Sequence, residues 1–178
     1  MNSNFESAGV KVGAPHVGRR AALLTTLAAL FYMPNRALAL VHQAQAAINK
    51  VVSFEVSTWH KLLKKGPRPA AYVFTTTYCP TCPDAFEQLN AAVLASHKKV
   101  ELAAVVMDVQ GERALAHAHH YQGATRIYAF EGFEPEIRQS VDPKWRNVTP
   151  YVVLIGRSGV VQRCIGAPDA AMLKAWLD

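Results

Sequence analysis

The chain is poor in cysteine, in long apolar runs and in clusters of like charge. Three of its 178 residues are cysteine, and only two of them stand close together, so the sequence lacks the second close pair that a structural zinc site needs. The formal net charge is +6, yet no basic run is interleaved with aromatic residues, which argues against a nucleic-acid-binding surface. With 51% apolar and 18% charged residues, the composition is that of a globular protein.

The N-terminal region carries an apolar run that is short for a membrane span. Ala21 to Met33 is 13 residues long, and a helix of that length rises only about 20 Å, against a hydrocarbon core of about 30 Å. The run suits the apolar region of a signal peptide. Because Ala37-Leu38-Ala39 fits a small-x-small cleavage site, we expect residues 1–39 to be a cleavable signal peptide and Leu40 to begin the mature chain.

The leader resembles a twin-arginine signal through Arg19-Arg20 and its long polar start, although Gly18 stands where Ser or Thr is usual. A general secretory signal and an uncleaved anchor are the alternatives, and an uncleaved signal would be the only contact with a membrane. We expect residues 40–178 to be exported to a bacterial periplasm. That compartment is oxidising, so cysteines there tend to be disulfide-bonded or catalytic.

The remaining chain alternates between strand-like and helix-like patterns. Strands are predicted at 51–56, 70–77, 100–109, 126–130, 150–156 and 160–165, and helices at 57–65 (capped by Ser57 or Thr58), 83–96, 112–121, 134–141 and 168–177. Strands that alternate with helices and end in a hairpin predict an α/β sandwich with a mixed sheet.

Cys79 and Cys82 lie in TTYCPTCPDAFEQL, at the junction of a predicted strand and a predicted helix. A cysteine is a nucleophile only as the thiolate, and the N-terminus of a helix stabilises an anion through its unpaired N–H groups and its dipole. Two intervening residues let Cys82 reach the Cys79 sulfur and close a disulfide. A Cys-x-x-Cys pair between a strand and a helix is typical of a thioredoxin-like redox motif.

Three features together resemble the thioredoxin fold and, within it, the TlpA-type periplasmic thiol–disulfide oxidoreductases. They are VFTTTYCPTCP around the cysteines, NVTPYVVLIGRSGVVQRCIG at Asn147–Gly166, and an added strand–helix unit between Gly111 and Trp145. The resemblance covers residues 51–177. It implies a thioredoxin-like α/β fold, a mixed central sheet flanked by helices, with a TlpA-type strand–helix insertion in a domain at residues 40–178.

The resemblance also implies a reaction. Cys79 would form a mixed disulfide with a protein thiol or disulfide, and Cys82 would resolve it. Such an enzyme needs no organic cofactor, and its partners would be protein thiols or disulfides and a redox protein of the envelope. Cytochrome c maturation, copper-site maturation and general envelope substrates all stay open.

Four further positions take roles from the same resemblance. Pro150 would be a cis-proline packed against the disulfide, and Thr149 would offer backbone groups to a bound substrate peptide. Pro80 and Thr81 would tune the redox poise. One departure concerns proton transfer, since Val73 stands where thioredoxin has a buried Asp that helps to deprotonate the second cysteine.

A copper-binding chaperone is the alternative function. CPDAFEQL at Cys82–Leu89 resembles the Sco-type copper chaperones, which use two cysteines, usually three residues apart, and a histidine near the last strands. Here the gap is two residues and no histidine follows His120. Two thiolates alone could hold Cu(I), and AHAHHY offers His117, His119 and His120 either as ligands or as exposed side chains. For Cys164, a buried small hydrophobe and a third reactive thiol are both open.

Overall fold

The computed structural model describes residues 48–178, so the predicted signal peptide and the predicted start at Leu40 lie outside the described residues and stay predictions. The strands are β1 (Val51–Phe54), β2 (Ala70–Thr75), β3 (Glu101–Val106), β4 (Arg126–Phe130), β5 (Tyr151–Ile155) and β6 (Val161–Ile165). The helices are α1 (Val56–Lys65), α2 (Cys82–Ser96), α3 (Gly111–His117), followed by a 3-10 turn at Ala118–His120, α4 (Glu134–Val141) and α5 (Ala170–Leu177). None of the helices in this part of the chain is long and apolar enough to span a membrane.

The six strands form one mixed sheet in the order β1-β4-β3-β2-β5-β6. The first four strands in this order run parallel, whereas β5 is antiparallel to β2 and β6 is antiparallel to β5. Strand β4 pairs with both β1 and β3 and is followed by α4. The mixed sheet and the strand–helix unit predicted between Gly111 and Trp145 are therefore confirmed.

Strand β2 is buried on both faces, as its nearly continuous apolar sequence AAYVFT predicts. Because side chains alternate along a strand, Tyr72 and Phe74 enter one core cluster while Ala71 and Val73 enter the other. The first cluster includes apolar side chains of α1 and α4, and the second includes those of α2, α3 and α5. The sheet is thus covered by helices on both faces.

Several predicted boundaries were wrong, among them the end of β2, the start of α1 and the end of α3. Strand β2 ends at Thr75 instead of residue 77, because the next residues form the turn that leads to the cysteines. The first helix begins at Val56, and neither Ser57 nor Thr58 caps it. The Thr58 hydroxyl donates to the Ser53 carbonyl instead, at 3.2 Å. The predicted helix at 112–121 ends at His117 and tightens into a 3-10 turn.

Trp59 on α1 ties that helix to the sheet. Its side chain is fully buried, with ring centroids 5.6 Å from Tyr72, 6.1 Å from Phe54 and 6.2 Å from Phe74. Replacing a buried tryptophan by alanine removes this aromatic contact and leaves a cavity. The neighbouring side chain, His60, is exposed.

We therefore predict that Trp59→Ala lowers the free energy of unfolding by about 3–5 kcal/mol. The matched control His60→Ala on the same helix should change it by less than about 0.5 kcal/mol. Urea unfolding followed by far-UV circular dichroism measures both. Equal stabilities of the two variants would show that α1 is not held through Trp59.

Candidate active site

The Cys79 and Cys82 sulfurs are bonded in a disulfide at the start of α2. Their Cα atoms lie 5.5 Å apart, and Cys82 is the first residue of the helix. Thr81 occupies the N-cap position, and a proline follows in the first turn, where its missing N–H costs nothing. The strand–Cys-x-x-Cys–helix arrangement predicted from the sequence is thus present.

The two cysteines differ in their access to solvent. Cys82 is fully buried, whereas Cys79 is partly exposed beside Tyr78, whose side chain is 77% exposed. Pro80 and Thr81 are exposed between them, and the Thr81 hydroxyl lies 4.0 Å from the Cys79 sulfur. An incoming thiol or disulfide can therefore reach Cys79, while Cys82 faces the protein.

Asp108 holds the loop that carries Cys79. The Thr77 N–H donates to its carboxylate at 2.9 Å, and the Thr77 hydroxyl donates to it as well. Asp108 was not singled out from the sequence. Parallel neighbouring strands end at the same edge of a sheet. An acidic residue just after β3 is therefore expected near a polar loop just after β2, and this signal in the sequence could have identified Asp108.

Pro150 lies at the same end of the sheet as the disulfide. In the β2–β5 ladder Phe74 pairs with Tyr151, and extension of this register by one residue sets Pro150 beside Thr75. The Thr149–Pro150 bond is cis, as the resemblance implies, and Arg68–Pro69 is a second cis bond that the sequence did not suggest. The Gly166 N–H donates to the Pro150 carbonyl at 2.8 Å, so β6 also ends here.

A groove of about 460 Å³ lies between β6 and the segment that follows α4, and its lining includes Val148 and Tyr151, which flank Thr149 and Pro150 in the sequence. We call it the Pro150 groove. Two apolar side chains in its lining, Val148 and Ile165, are 45% and 58% exposed. Lys144, Arg146, Arg163 and Asp142 also line it, so its charge is predominantly positive.

Asp142 is held in this groove by three partners. Its carboxylate accepts hydrogen bonds from the Tyr151 hydroxyl and the Lys144 N–H, and an Arg163 nitrogen lies 3.9 Å away. Burial acts to raise the pKa of Asp142, but these hydrogen bonds and the arginine charge outweigh it, so the pKa falls below the ordinary value of 3.8. The folded protein therefore favours the ionised carboxylate.

This shift predicts a pH-dependent contribution to stability. Because the folded pKa of Asp142 is depressed, its contribution is present above about pH 4, near the unfolded value, and is lost as the pH falls through the lower folded pKa. Asp142→Asn should therefore be less stable than the wild type at pH 7, with a smaller difference at pH 2.5. Urea midpoints at the two pH values measure this, with Asp84→Asn, an exposed position, as the control. A difference independent of pH would contradict the assignment.

The site has no carboxylate at position 73, where the resemblance to thioredoxin would place a buried Asp. Val73 is fully buried, and the buried polar side chains on the following positions are Thr75 and Thr76. The Thr75 hydroxyl lies 2.6 Å from the hydroxyl of Tyr121, which is 1% exposed. Sequence reasoning did not identify Tyr121, because nothing in its local pattern separates it from an ordinary core tyrosine.

The rings of His117, His119 and His120 lie close together but are tilted relative to one another, by 60° for His117 and His120 and by 41° for His119 and His120. Ring centroids are 4.7 Å apart for His117 and His120, and 3.8 Å apart for His119 and His120. Across residues 48–178, no group of three or more His, Cys, Asp or Glu side chains is arranged to hold a metal ion.

Cys164 is the cysteine outside the disulfide. It is partly buried and packs against the core cluster of α2 and α5. Burial, followed by the charge of Asp169, raises the pKa of its thiol. The Cys164 thiol therefore stays protonated at neutral pH. Protonation disfavours its reaction, because the thiolate is the reactive form.

Strand order, strand direction and the position of the disulfide define the class of fold. The described residues have a thioredoxin-like fold in which one extra parallel strand, β4, stands between β1 and β3. No protein-family model and no curated protein matches the chain.

The chain is similar over part of its length to several solved structures. The thioredoxin domain of a thiol-disulfide oxidoreductase from Bacteroides vulgatus is 11% identical, with 62% of this chain and 80% of that chain covered and a TM-score of 0.49. A thiol-disulfide isomerase from Corynebacterium glutamicum is 15% identical, with 62% and 81% covered and a TM-score of 0.48. A secreted Mycobacterium tuberculosis disulfide oxidoreductase homologous to E. coli DsbE is 16% identical, with 62% and 80% covered and a TM-score of 0.45. Identities this low concern the fold alone.

Proposed function

We propose that the protein is a thiol–disulfide oxidoreductase that acts on protein thiols or disulfides through Cys79 and Cys82. One observation carries the proposal: the disulfide at a helix N-terminus joins a partly exposed cysteine, Cys79, to a fully buried one, Cys82. A helix N-terminus stabilises a thiolate, and a buried second thiol can attack only the sulfur beside it. A disulfide that closes so small a loop adds little stability, so a structural role accounts poorly for it.

The exchange transfers two electrons in two steps. In the reducing direction, the Cys79 thiolate attacks one sulfur of a substrate disulfide, forms a mixed disulfide and releases a substrate thiolate that takes up a proton. The Cys82 thiolate then attacks the Cys79 sulfur, closes the Cys79–Cys82 disulfide and releases the second substrate thiolate. Oxidation of a substrate dithiol is the same sequence in reverse.

We propose that the Pro150 groove binds the segment of the substrate that lies on one side of the substrate's reactive cysteine. Thr149 is partly exposed, and its backbone groups would pair with an extended peptide. Val148 and Ile165 offer apolar contact, and Lys144 and Arg146 offer positive charge. Pro80 and Thr81 adjoin the reactive sulfur and are the proposed determinants of redox poise.

We place the mature protein in a bacterial periplasm, because the predicted signal at residues 1–39 would deliver it there and an oxidising compartment suits the disulfide. No organic cofactor takes part in the proposed exchange, and electrons pass to or from a redox protein of the envelope. The candidate substrates are a cytochrome c precursor, a copper-site protein and other envelope proteins.

The reduction potential of the Cys79–Cys82 pair tests the proposal and sets its direction. Thiols are counted in graded dithiol buffers, in a Cys164→Ala background so that the third thiol does not enter the count. A potential near about −270 mV, as in thioredoxin, indicates a reductant, and one near about −120 mV, as in DsbA, indicates an oxidant. A pair that forms no disulfide in any buffer would overturn the function.

Trapping variants test the order of attack. Cys82→Ser should accumulate mixed disulfides through Cys79, because the resolving thiol is gone, whereas Cys79→Ser should trap nothing. Non-reducing gels of cells that express each variant measure this, with Cys164→Ser as the control that leaves exchange intact. If both variants trap partners equally, Cys79 is not the attacking residue. Stoichiometric binding of Cu(I) that requires both cysteines, without exchange activity, would favour the copper-chaperone alternative.

A further inference from the structure

A continuous chain of hydrogen bonds connects the loop before Cys79 to His117. The Cys79 N–H donates to the Thr76 carbonyl at 3.2 Å, and the Thr75 hydroxyl donates to the same carbonyl at 3.2 Å. Thr75 Oγ1 lies 2.6 Å from the Tyr121 hydroxyl. The Tyr121 oxygen in turn lies 3.4 Å from His117 Nε2.

When His117 is protonated, its Nε2–H can only donate, so the Tyr121 hydroxyl accepts from it. Tyr121 then donates its single proton to Thr75, and the Thr75 hydroxyl donates to the Thr76 carbonyl. The Cys79 N–H donates to the same carbonyl from the other side. The imidazolium ion always carries the Nε2 proton, and a hydrogen bond from a charged donor is stronger than one from a neutral donor. Protonation of His117 therefore strengthens the chain.

The middle of the chain is shielded from water. Thr75 is fully buried and Tyr121 is 1% exposed, and low local polarity strengthens hydrogen bonds and lets one polarise the next. The Tyr121 ring also packs edge-on against Phe86, with ring centroids 5.1 Å apart. Phe86 follows Cys82 by one helical turn on α2, so Tyr121 supports the helix of the cysteine pair as well as the loop before it.

We propose that Tyr121 is a positioning residue that couples the protonation of His117 to the reactivity of Cys79. The inference rests on the proposed thiol–disulfide exchange and adds a control that the sequence does not reveal.

The charges that surround His117 determine when it titrates. Burial lowers its pKa below the ordinary 6.5, and repulsion from His120 and, less strongly, His119 lowers it further, whereas Asp108 at the end of β3 opposes the change. Tyr121, the remaining titratable contact, stays neutral because burial raises its pKa. His117 therefore gains its charge at a lower pH than an exposed histidine does, and its positive charge would then favour the Cys79 thiolate.

The test is the pH profile of Cys79 alkylation by iodoacetamide in the reduced Cys164→Ala protein, with the modified residue identified by mass spectrometry. The wild-type profile should combine the titration of the thiol with an acid-side step from His117. Tyr121→Phe keeps the ring on Phe86 but breaks the chain. It should abolish the acid-side step and slow alkylation in mild acid by about threefold to tenfold, the worth of one ordinary hydrogen bond.

Matched variants separate coupling from general damage. His117→Gln retains a donor without a titrating charge, so it should lose the acid-side step alone. Thr75→Val breaks the chain at its next link, and the double variant with Tyr121→Phe should be no slower than the slower single variant. Tyr128→Phe removes a hydroxyl from another buried tyrosine, in the opposite core cluster, and should leave the profile unchanged.

Two results would overturn the coupling. One is a Tyr121→Phe protein that is folded by circular dichroism and keeps the acid-side step. The other is an additive double variant. A separate assay of exchange with a disulfide-bonded test protein distinguishes this failure from failure of the proposed function. If the wild type exchanges disulfides but Tyr121→Phe keeps the acid-side step, the coupling is wrong and the proposed function stands. If Tyr121→Phe loses the acid-side step but the wild type shows no exchange, the proposed function is wrong and the coupling stands.

Discussion

The pairing of β2 on both sides, with β3 in parallel and β5 antiparallel, is the constraint on which the site depends. Every residue of β2 is buried, so the strand cannot slip by one residue without exchanging its two faces between the core clusters. The pairing therefore fixes the residue at which β2 ends, Thr75. Because β3 ends and β5 begins at that same edge, Asp108 and Pro150 come to the loop that carries Cys79.

The added unit between β3 and β5 contributes more than one extra strand. Strand β4 extends the parallel part of the sheet, and the turn before it brings Tyr121 into the second core cluster. The insertion thus reaches under the helix that begins at Cys82, through Phe86, and to the end of β2, through Thr75. A segment that looks peripheral in the sequence thus supplies Tyr121, whose hydroxyl makes a buried hydrogen bond with Thr75 at the end of the strand that leads to Cys79.

How far the sequence predicts the fold depends on how local the determining interactions are. Strand β4 and helix α4 were predicted with the observed boundaries, Arg126–Phe130 and Glu134–Val141, since their apolar periodicity and flanking residues are local signals. Strand β2 was predicted two residues too long, because Thr76 and Thr77 have strand-like side chains and nothing nearby shows that a carboxylate 31 residues further along takes Thr77. The helix cap at Ser57 or Thr58 failed for the same reason, since the Ser53 carbonyl competes for the Thr58 hydroxyl.

The sequence by itself determined the alternation of strands and helices, the spacing of Cys79 and Cys82 and the apolar residue at Val73, because periodicity, spacing and residue type are readable along the chain. The tertiary structure alone decided that Cys79 is accessible and Cys82 buried, that Asp108 anchors the loop, and that Thr75, Tyr121 and His117 form one network. The Thr77–Asp108 and Thr75–Tyr121 contacts join residues 31 and 46 positions apart. A hydrogen bond over such a separation depends on the packing of whole elements, for which local sequence carries no signal.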